Sequence, residues 1–439
     1  MSTGDVKIYY FGTFYTIFLC ISRKISNFAP DLYTCCLKIQ KGLIRKLFSI
    51  LFLLCLFVCT YAQVGVRDVS IAERNAAQGF NDTIDRMADD FVTVSLVVAE
   101  PGKVLYSVLG HACLHLQCPT FGLDYIYTYE SEGVQGKVFR FLMNDLKMGM
   151  GRLHLDEYMQ PFLIEGRGVK EYALQLPPEV KSELWRVCDE RTEQGLNLEY
   201  NPVKRGCAIS VVHSVEEAIR SANKMTGKHY MIEHPEWGKP FDRTLREIFY
   251  DNAPHDWGLF WCMTIVGGIV DEPDLPQNEK QICPQELVDI WMHSSINGKQ
   301  IINAPAKVLN EGEPLEKSLF SPLIVSLIIL ILAIMSLFIK YPYIDWLILG
   351  VQTMLGCLIV WLMIMPLPAT GWTWLIVVFN PLPAICWKWR RYWALPYAAI
   401  IVLWCVGMLC VPHRLVEYAH IVLAISFGIV LLKQKYVNR

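Results

Sequence analysis

Glu199-Tyr200-Asn201-Pro202-Val203-Lys204-Arg205-Gly206-Cys207-Ala208-Ile209-Ser210 is the stretch on which the reading of this chain turns. Pro202 to Gly206 is turn material. From Cys207 onward the apolar residues Ala208, Val211, Val212, Val215 and Ile219 recur at helical spacing, which predicts a helix over Cys207–Ser221. A thiol at a helix N-terminus meets unpaired N–H groups and the positive end of the macrodipole, and Lys204 and Arg205 add positive charge. All three favour thiolate and make Cys207 a candidate nucleophile. A nucleophile needs a base, and His111 in the strand-like run Ser107-Val108-Leu109-Gly110-His111-Ala112-Cys113-Leu114-His115-Leu116 is the upstream candidate. Taken singly, Cys207 also reads as half a disulfide or a core residue, and His111 as a satisfied core histidine.

The surroundings narrow the choice. The chain has 439 residues, 53% of them apolar, with a net charge of -2. That is too long for one ordinary domain and too apolar for a wholly soluble protein. With a net charge close to zero, nucleic acid is not an expected partner. Arg45 and Lys46 precede the apolar run Leu47–Val58, and small residues follow at Thr60 and Ala62, as in a secretory signal or an uncleaved anchor. Residues 1–62 are therefore expected to be an N-terminal extension plus that export segment, whose apolar patch from Ile8 to Ile21 an ordinary signal does not carry.

Residues 64–303 have ordinary soluble composition and suit one α+β domain. Leu96–Val98, Val104–Leu116 and Asp124–Tyr129 read as strands, with Cys118 to Gly122 as the turn between the last two. Val138–Met148 reads as a helix, Val169–Leu176 as a strand, and Pro177–Gln194 as a surface helix with Pro178 in its first turn. Trp257–Asp271 is apolar but short and broken by glycine, so it reads as a buried element. Pro284–Met292 reads as a closing helix, and residues 304–317 as a polar linker.

Residues 319–432 hold five apolar runs, Leu319–Ile339, Ile344–Met365, Trp372–Cys386, Trp393–Val411 and Val416–Leu432, expected to be an all-α bundle of five transmembrane helices. Lys388, Arg390 and Arg391 lie between the third and fourth runs, and Lys433, Lys435 and Arg439 follow the fifth. The positive-inside rule puts those segments, including the tail 433–439, in the cytoplasm and residues 64–303 in the periplasm of a bacterial inner membrane. Only Asp345 and Glu417 place charge at the edges of the runs, which argues against an ion pathway. Trp372, Trp374, Trp387, Trp389 and Trp393 cluster as interfacial anchors do, consistent with a Cys207 site held near the bilayer surface.

With these elements in order, the chain resembles the Lnb N-terminal periplasmic domain family of Bacteroidetes, itself similar to circularly permuted NlpC-type papain-like thiol hydrolases. The resemblance runs from about Asp90 to Ile301. It rests on Gly110-His111, the aromatic strand Ile126-Tyr127-Thr128-Tyr129, the Leu-rich strand before Pro177, the Tyr200 to Cys207 motif, and Asp256-Trp257, Asp271 and Pro284-Gln285-Glu286-Leu287. It implies a permuted papain-like domain with Cys207 as nucleophile and His111 as base. Gly206 stands where the family has Asn, and Ala208-Ile209 where it often has Thr-Arg. His115 shares a strand face with His111 and either assists the base or packs in the core. Tyr127, Tyr129 and Glu130 are candidates for the group that fixes the imidazole tautomer.

These readings predict a membrane-anchored periplasmic hydrolase or acyltransferase acting on an amide or ester of a cell-envelope peptide or lipid. The alternative is a silent scaffold that binds partner transmembrane helices. No cofactor and no metal are expected, because neither HExxH nor paired CxxC occurs. Cys113, Cys118, Cys188, Cys207, Cys262 and Cys283 fall in the exported domain, with Cys262–Cys283 the most plausible disulfide.

Overall fold

The computed structural model describes residues 88, 90–131, 143, 145–199, 201, 203–237, 243–271, 281–315, 318–339, 342–365, 370–411 and 415–436. The export segment and Tyr200 lie outside the described residues. So do residues 138–142 and 144 of the expected helix over Val138–Met148; its last two residues, Lys147 and Met148, belong to a strand.

The strands are β1 (Thr93–Ala99), β2 (His111–Cys118), β3 (Leu123–Ser131), β4 (Lys147–Leu153), β5 (Val169–Ala173), β6 (Leu198–Glu199) and β10 (Lys307–Asn310). Among the described residues they form one antiparallel sheet in the order β10-β5-β1-β2-β3-β4-β6. Short strands β7 (Ile232–Glu233), β8 (Ser295–Ile296) and β9 (Lys299–Gln300) form a second sheet. The strand expected over Val104–Leu116 begins only at His111. Gly110, at φ +81°, turns the chain directly before it, and a Cβ there would lie 2.5 Å from the Ala99 carbonyl oxygen. The stretch expected to be linker contributes β10, which pairs with β5.

Because side chains alternate across a sheet, each face has its own partner. Leu96, Ala112, Leu114, Leu116, Tyr127 and Met148 point to one side, where α2 (Pro178–Glu193) and α3 (Cys207–Thr226) pack to make the main core. Val97, Ala99, Cys113, Ile126 and Leu153 point to the other, where α1 (Leu155–Glu165) covers them with Tyr158, Met159 and Phe162. Helix α3 stops at Gly227, whose left-handed backbone returns its N–H to the Asn223 carbonyl.

Beyond the sheet come α4 (Leu245–Asn252), α5 (Trp257–Ile265) and α6 (Pro284–His293). A Thr244/Glu247 capping box starts α4. Arg246, fully buried, binds α5 to α4: its guanidinium donates to Asp271 at 2.5 and 3.2 Å and to the Met263 and Val266 carbonyls at 2.9 and 2.6 Å. Such a charge is tolerable inside because each of its three nitrogens donates to an oxygen and Asp271 supplies the counter-charge.

The C-terminal part is helical: α7 (Pro322–Ser336), α8 (Tyr343–Ile364), α9 (Leu382–Ile385), α10 (Arg390–Cys410) and α11 (Tyr418–Tyr436). Two stretches, Tyr343–Ile364 and Tyr392–Cys410, are long and apolar enough to cross a membrane; others are shorter apolar helices. The third apolar run is a 3₁₀ turn (Trp374–Val377) followed by the single turn α9. Its irregular backbone is answered by side chains. Gln352 donates to the Val378 carbonyl at 2.7 Å, Asn380 to the Tyr397 hydroxyl at 2.7 Å, and Tyr397 to the Val377 carbonyl at 2.9 Å. Gly356 lets α8 approach this segment, since a Cβ there would lie 2.5 Å from the Asn380 backbone.

This helical part has two distinct ends. At one, the α5 segment docks: Phe260 stacks on His420 at 4.4 Å, Gly268 donates to the Trp372 carbonyl at 3.0 Å, and the Trp257 indole donates to the Phe320 carbonyl at 2.8 Å. At the other, buried Lys433 pairs with buried Asp345 at 2.9 Å, and Trp346 lies 5.0 Å from Trp387.

Candidate active site

Gly206 is the N-cap of α3 and offers no side chain to the first turn. The N–H groups of Cys207 and Ala208, two of the orphan donors of a helix start, are therefore left for another acceptor. The Cys207 sulfur lies near enough to its own N–H, that of Ala208 and that of Ala112 on β2 for each to favour its thiolate. The Ala112 amide is available because β2 and β3 part there: β2 pairs with β1 from His111 onward, but with β3 only from Cys113 onward. β3 itself continues along β4 to Ser131. Through this parting, a thiol carried by a helix on one face of the sheet reaches groups on the other.

Those groups lie on the α1 side. His111 stands one peptide bond from the Ala112 amide, and its Nε2 is 2.6 Å from the Thr128 hydroxyl. Burial, helped by the nearby Arg167 guanidinium, pushes the imidazole pKa down to about 4, so the ring is neutral at ordinary pH. Thr128 supplies the partner that the sequence left open among Tyr127, Tyr129 and Glu130. The ring makes no hydrogen bond to the Cys207 sulfur among the described residues.

The Tyr158 ring lies 6.3 Å from the His111 ring, centre to centre. Its hydroxyl is fully buried and makes no hydrogen bond of normal geometry, although the Cys113 thiol is close enough to influence it. Both Tyr158 and Cys113 feel the charge of a Cys207 thiolate. Glu130, part-buried on the same face, has its carboxyl pushed up by burial. Arg167, buried beneath, donates to the Glu100 carbonyl at 2.8 and 2.6 Å and pairs with Glu165 at 3.2 Å; its charge favours the Cys207 thiolate.

For Cys207 the balance differs from the expected low pKa. The sulfur is part-exposed by surface area but densely surrounded, and loss of solvation is the largest influence; it outweighs the three amides and Arg167 and raises the thiol pKa. At neutral pH Cys207 is a neutral thiol and His111 a neutral imidazole. Cys113, Cys118, Cys188, Cys207, Cys262 and Cys283 are all free thiols, so the expected Cys262–Cys283 disulfide does not form.

His115 shares the face of His111 but stands four residues further along β2, roughly 13 Å away. Its ring is clamped between Glu171 at Nδ1 and Asp124 at Nε2, both at 2.6 Å. Two carboxylates on one ring require both nitrogens to donate, and they raise its pKa despite burial. It is held as an imidazolium and has no lone pair to offer. Tyr129 points to the opposite face, where its hydroxyl accepts from Arg191, which also donates to Ser214 at 2.6 Å. Beside it, a cavity of about 350 Å³ opens along α3 one turn beyond Cys207, lined by Tyr129, Arg191, Arg205, Ser210, His213 and Glu217 among others.

Thr128, Tyr158 and Arg167 are members of this constellation that sequence reasoning missed, whereas Glu130 was one of its candidates for the imidazole partner. Thr128 carried a signal only by its place in the aromatic strand Ile126-Tyr127-Thr128-Tyr129.

Residues 80–244 match the family described as the Lnb N-terminal periplasmic domain. The match includes both Cys207 and His111 and ends before α5. No curated protein and no solved structure matches the chain.

Proposed function

With an Lnb N-terminal periplasmic domain over residues 80–244 as the premise, we propose that this chain is a membrane-embedded thiol hydrolase or acyltransferase with a permuted papain-like site. The observation that carries the reading is the Cys207 sulfur at the start of α3, ringed by three backbone N–H groups beside the His111 peptide. Such a ring stabilises an anion at that point.

In this mechanism the Cys207 thiol passes its proton to the neutral His111 ring as sulfur attacks the carbonyl carbon of an amide or ester. The new C–S bond forms and the carbonyl π pair moves to oxygen, where the Cys207 amide donates to it. Collapse of this adduct breaks the C–N or C–O bond, and the leaving group departs with the proton from His111. Water or an acceptor nucleophile then releases the acyl group. With Nε2–H donating to Thr128, Nδ1 is the proton acceptor.

The helical part completes the proposal as five crossings, with the exported domain in the periplasm and the C-terminus in the cytoplasm. Support comes from the two ends of the bundle. The α5 segment meets Phe320, Trp372 and His420, whereas Asp345, Trp387 and Lys433 gather at the other end, so residues 372–387 run from one to the other as a broken third crossing. A site so close to the bilayer suits an acyl substrate presented at its surface.

The silent-scaffold alternative is favoured by the raised Cys207 pKa and by the bond that His111 makes elsewhere. Turnover decides between them. Full-length protein in vesicles, assayed on a lipid-embedded acyl ester, is expected to release acid or transfer acyl, and Cys207→Ala to abolish it. Equal turnover by the variant, or none by the parent, overturns the enzymatic reading.

A further inference from the structure

The C-terminal end of α1 exposes apolar side chains that the fold does not need. Leu163 and Ile164 are 51% and 77% exposed, and across from them the loop before β2 exposes Leu105 and Tyr106 at 41% and 49%. The two segments are joined, since the Tyr106 hydroxyl donates to Glu165 at 3.2 Å. Together they make one patch rather than scattered surface residues, and contiguous apolar surface on a folded domain marks something that covers it.

The position of the patch identifies the cover. Lys103, two residues before Leu105, accepts from the Gly258 amide at 3.1 Å at the start of α5. The adjacent residue, Trp257, donates its indole N–H to the Phe320 carbonyl, two residues before α7 begins. At the same level α1 ends at Gly166, whose carbonyl accepts from Glu313 on the segment leading to α7 at 2.6 Å. Both halves of the patch are thus tied by hydrogen bonds to the chain that enters the apolar helices. Leu319 and Phe320, also largely exposed, stand directly before α7.

We infer that Leu105, Tyr106, Leu163 and Ile164 form a foot that inserts into the outer leaflet of the lipid bilayer. Tyr106 is built for that depth, with an apolar ring and a hydroxyl that already has its partner. The occupant is lipid, because both halves of the patch are tied by hydrogen bonds to the chain that enters helices whose own exposed faces are apolar, whereas a protein partner would have to share it with the bilayer. The foot has a mechanical consequence. Helix α1 carries Leu163 and Ile164 at its outer end and Tyr158 beneath His111, so the membrane would hold the site's floor as well as its approach.

The inference rests on the reading of the apolar helices as membrane spans, and its test keeps the two apart. A photoreactive benzophenone side chain is placed singly at Ile164, at Leu347 on the exposed face of α8, and at Met225, exposed at the far end of α3 from Cys207. Each full-length protein is reconstituted in phosphatidylethanolamine/phosphatidylglycerol vesicles and irradiated, and lipid adducts are read by mass spectrometry. Adducts at Leu347 and Ile164 with none at Met225 are expected. Adducts at Leu347 but not Ile164, or equal adducts at Ile164 and Met225, overturn the foot while leaving the spans. No adduct even at Leu347 overturns the spans and the foot together.

Discussion

The amide of Ala112 on β2 lies near enough to the sulfur of Cys207 on α3 to favour its thiolate, and this proximity joins the two halves of the candidate site. It exists because β2 and β3 stop pairing one residue before it could form a ladder bond. The same crowding that brings three amides to the sulfur also strips it of water, and the loss of solvation wins. Alkylation of Cys207 by iodoacetamide is therefore expected to rise with pH through a limb above that of an ordinary thiol, near 8.5. A plateau already reached at neutral pH would mean a preformed thiolate–imidazolium pair.

Among the described residues the buried Tyr158 hydroxyl makes no hydrogen bond of normal geometry and has only the Cys113 thiol nearby, so a Phe ring there gives up little stability. An unsatisfied buried donor costs about 1–3 kcal/mol. Tyr158→Phe is expected to melt at or above the parent temperature. If the hydroxyl faces the bound acyl oxygen, the variant also loses turnover about 100-fold or more, as for other oxyanion donors, with iodoacetamide alkylation unchanged because that reaction forms no oxyanion. A lower melting temperature would show that the hydroxyl has a structural partner.

The His115 triad predicts a bounded pH range of stability. Asp124 and Glu171 are held below the usual carboxylate range by the imidazolium, so their contribution is complete above that range and lost as pH falls through their lowered values. His115 is raised, so its contribution is complete below about 6.5 and lost as pH rises through its folded pKa. Thermal melts of the full chain in detergent should show both limbs, and His115→Asn should flatten the alkaline one. An unchanged alkaline limb would assign it to another group.

Asp345 and Lys433 close the bundle at the end away from the exported domain. Asp345 lies in the first turn of α8 and Lys433 near the end of α11, where each charge also suits its helix dipole. Asp345→Asn leaves a buried ammonium without its counter-charge, at a cost of about 3–5 kcal/mol. The double variant Asp345→Asn/Lys433→Met should recover much of that loss in detergent melts, and failure to recover would mean the pair is not coupled.

What the sequence made legible was what periodicity and turn chemistry encode. The start of α3 at Cys207, the turn at Cys118–Gly122, and α2 and α6 to within a residue or two all follow from local pattern. Alternation placed His111 and His115 on one face correctly. It could not show that Glu171, on a strand distant in sequence, closes on His115, or that Tyr129 faces away from His111, because both depend on register between strands. The parting of β2 from β3 has no local signal at all. Val104–Leu109 misled because it is rich in β-branched, aromatic and aliphatic residues, while the left-handed turn at Gly110 and its contact with Ala99 keep the strand from starting before His111. The break in the third apolar run was visible in Pro381 and Pro383; the Gln352, Asn380 and Tyr397 side chains that answer its irregular backbone were not.

The central claim is that Cys207 forms an acyl thioester with His111 as its base. Full-length protein incubated with a p-nitrophenyl acyl ester and analysed by peptide mass spectrometry tests it most directly. A single acyl adduct on the Cys207 peptide, removed by neutral hydroxylamine and lost in His111→Ala, is the predicted result. No adduct, or one that persists undiminished in His111→Ala, contradicts it.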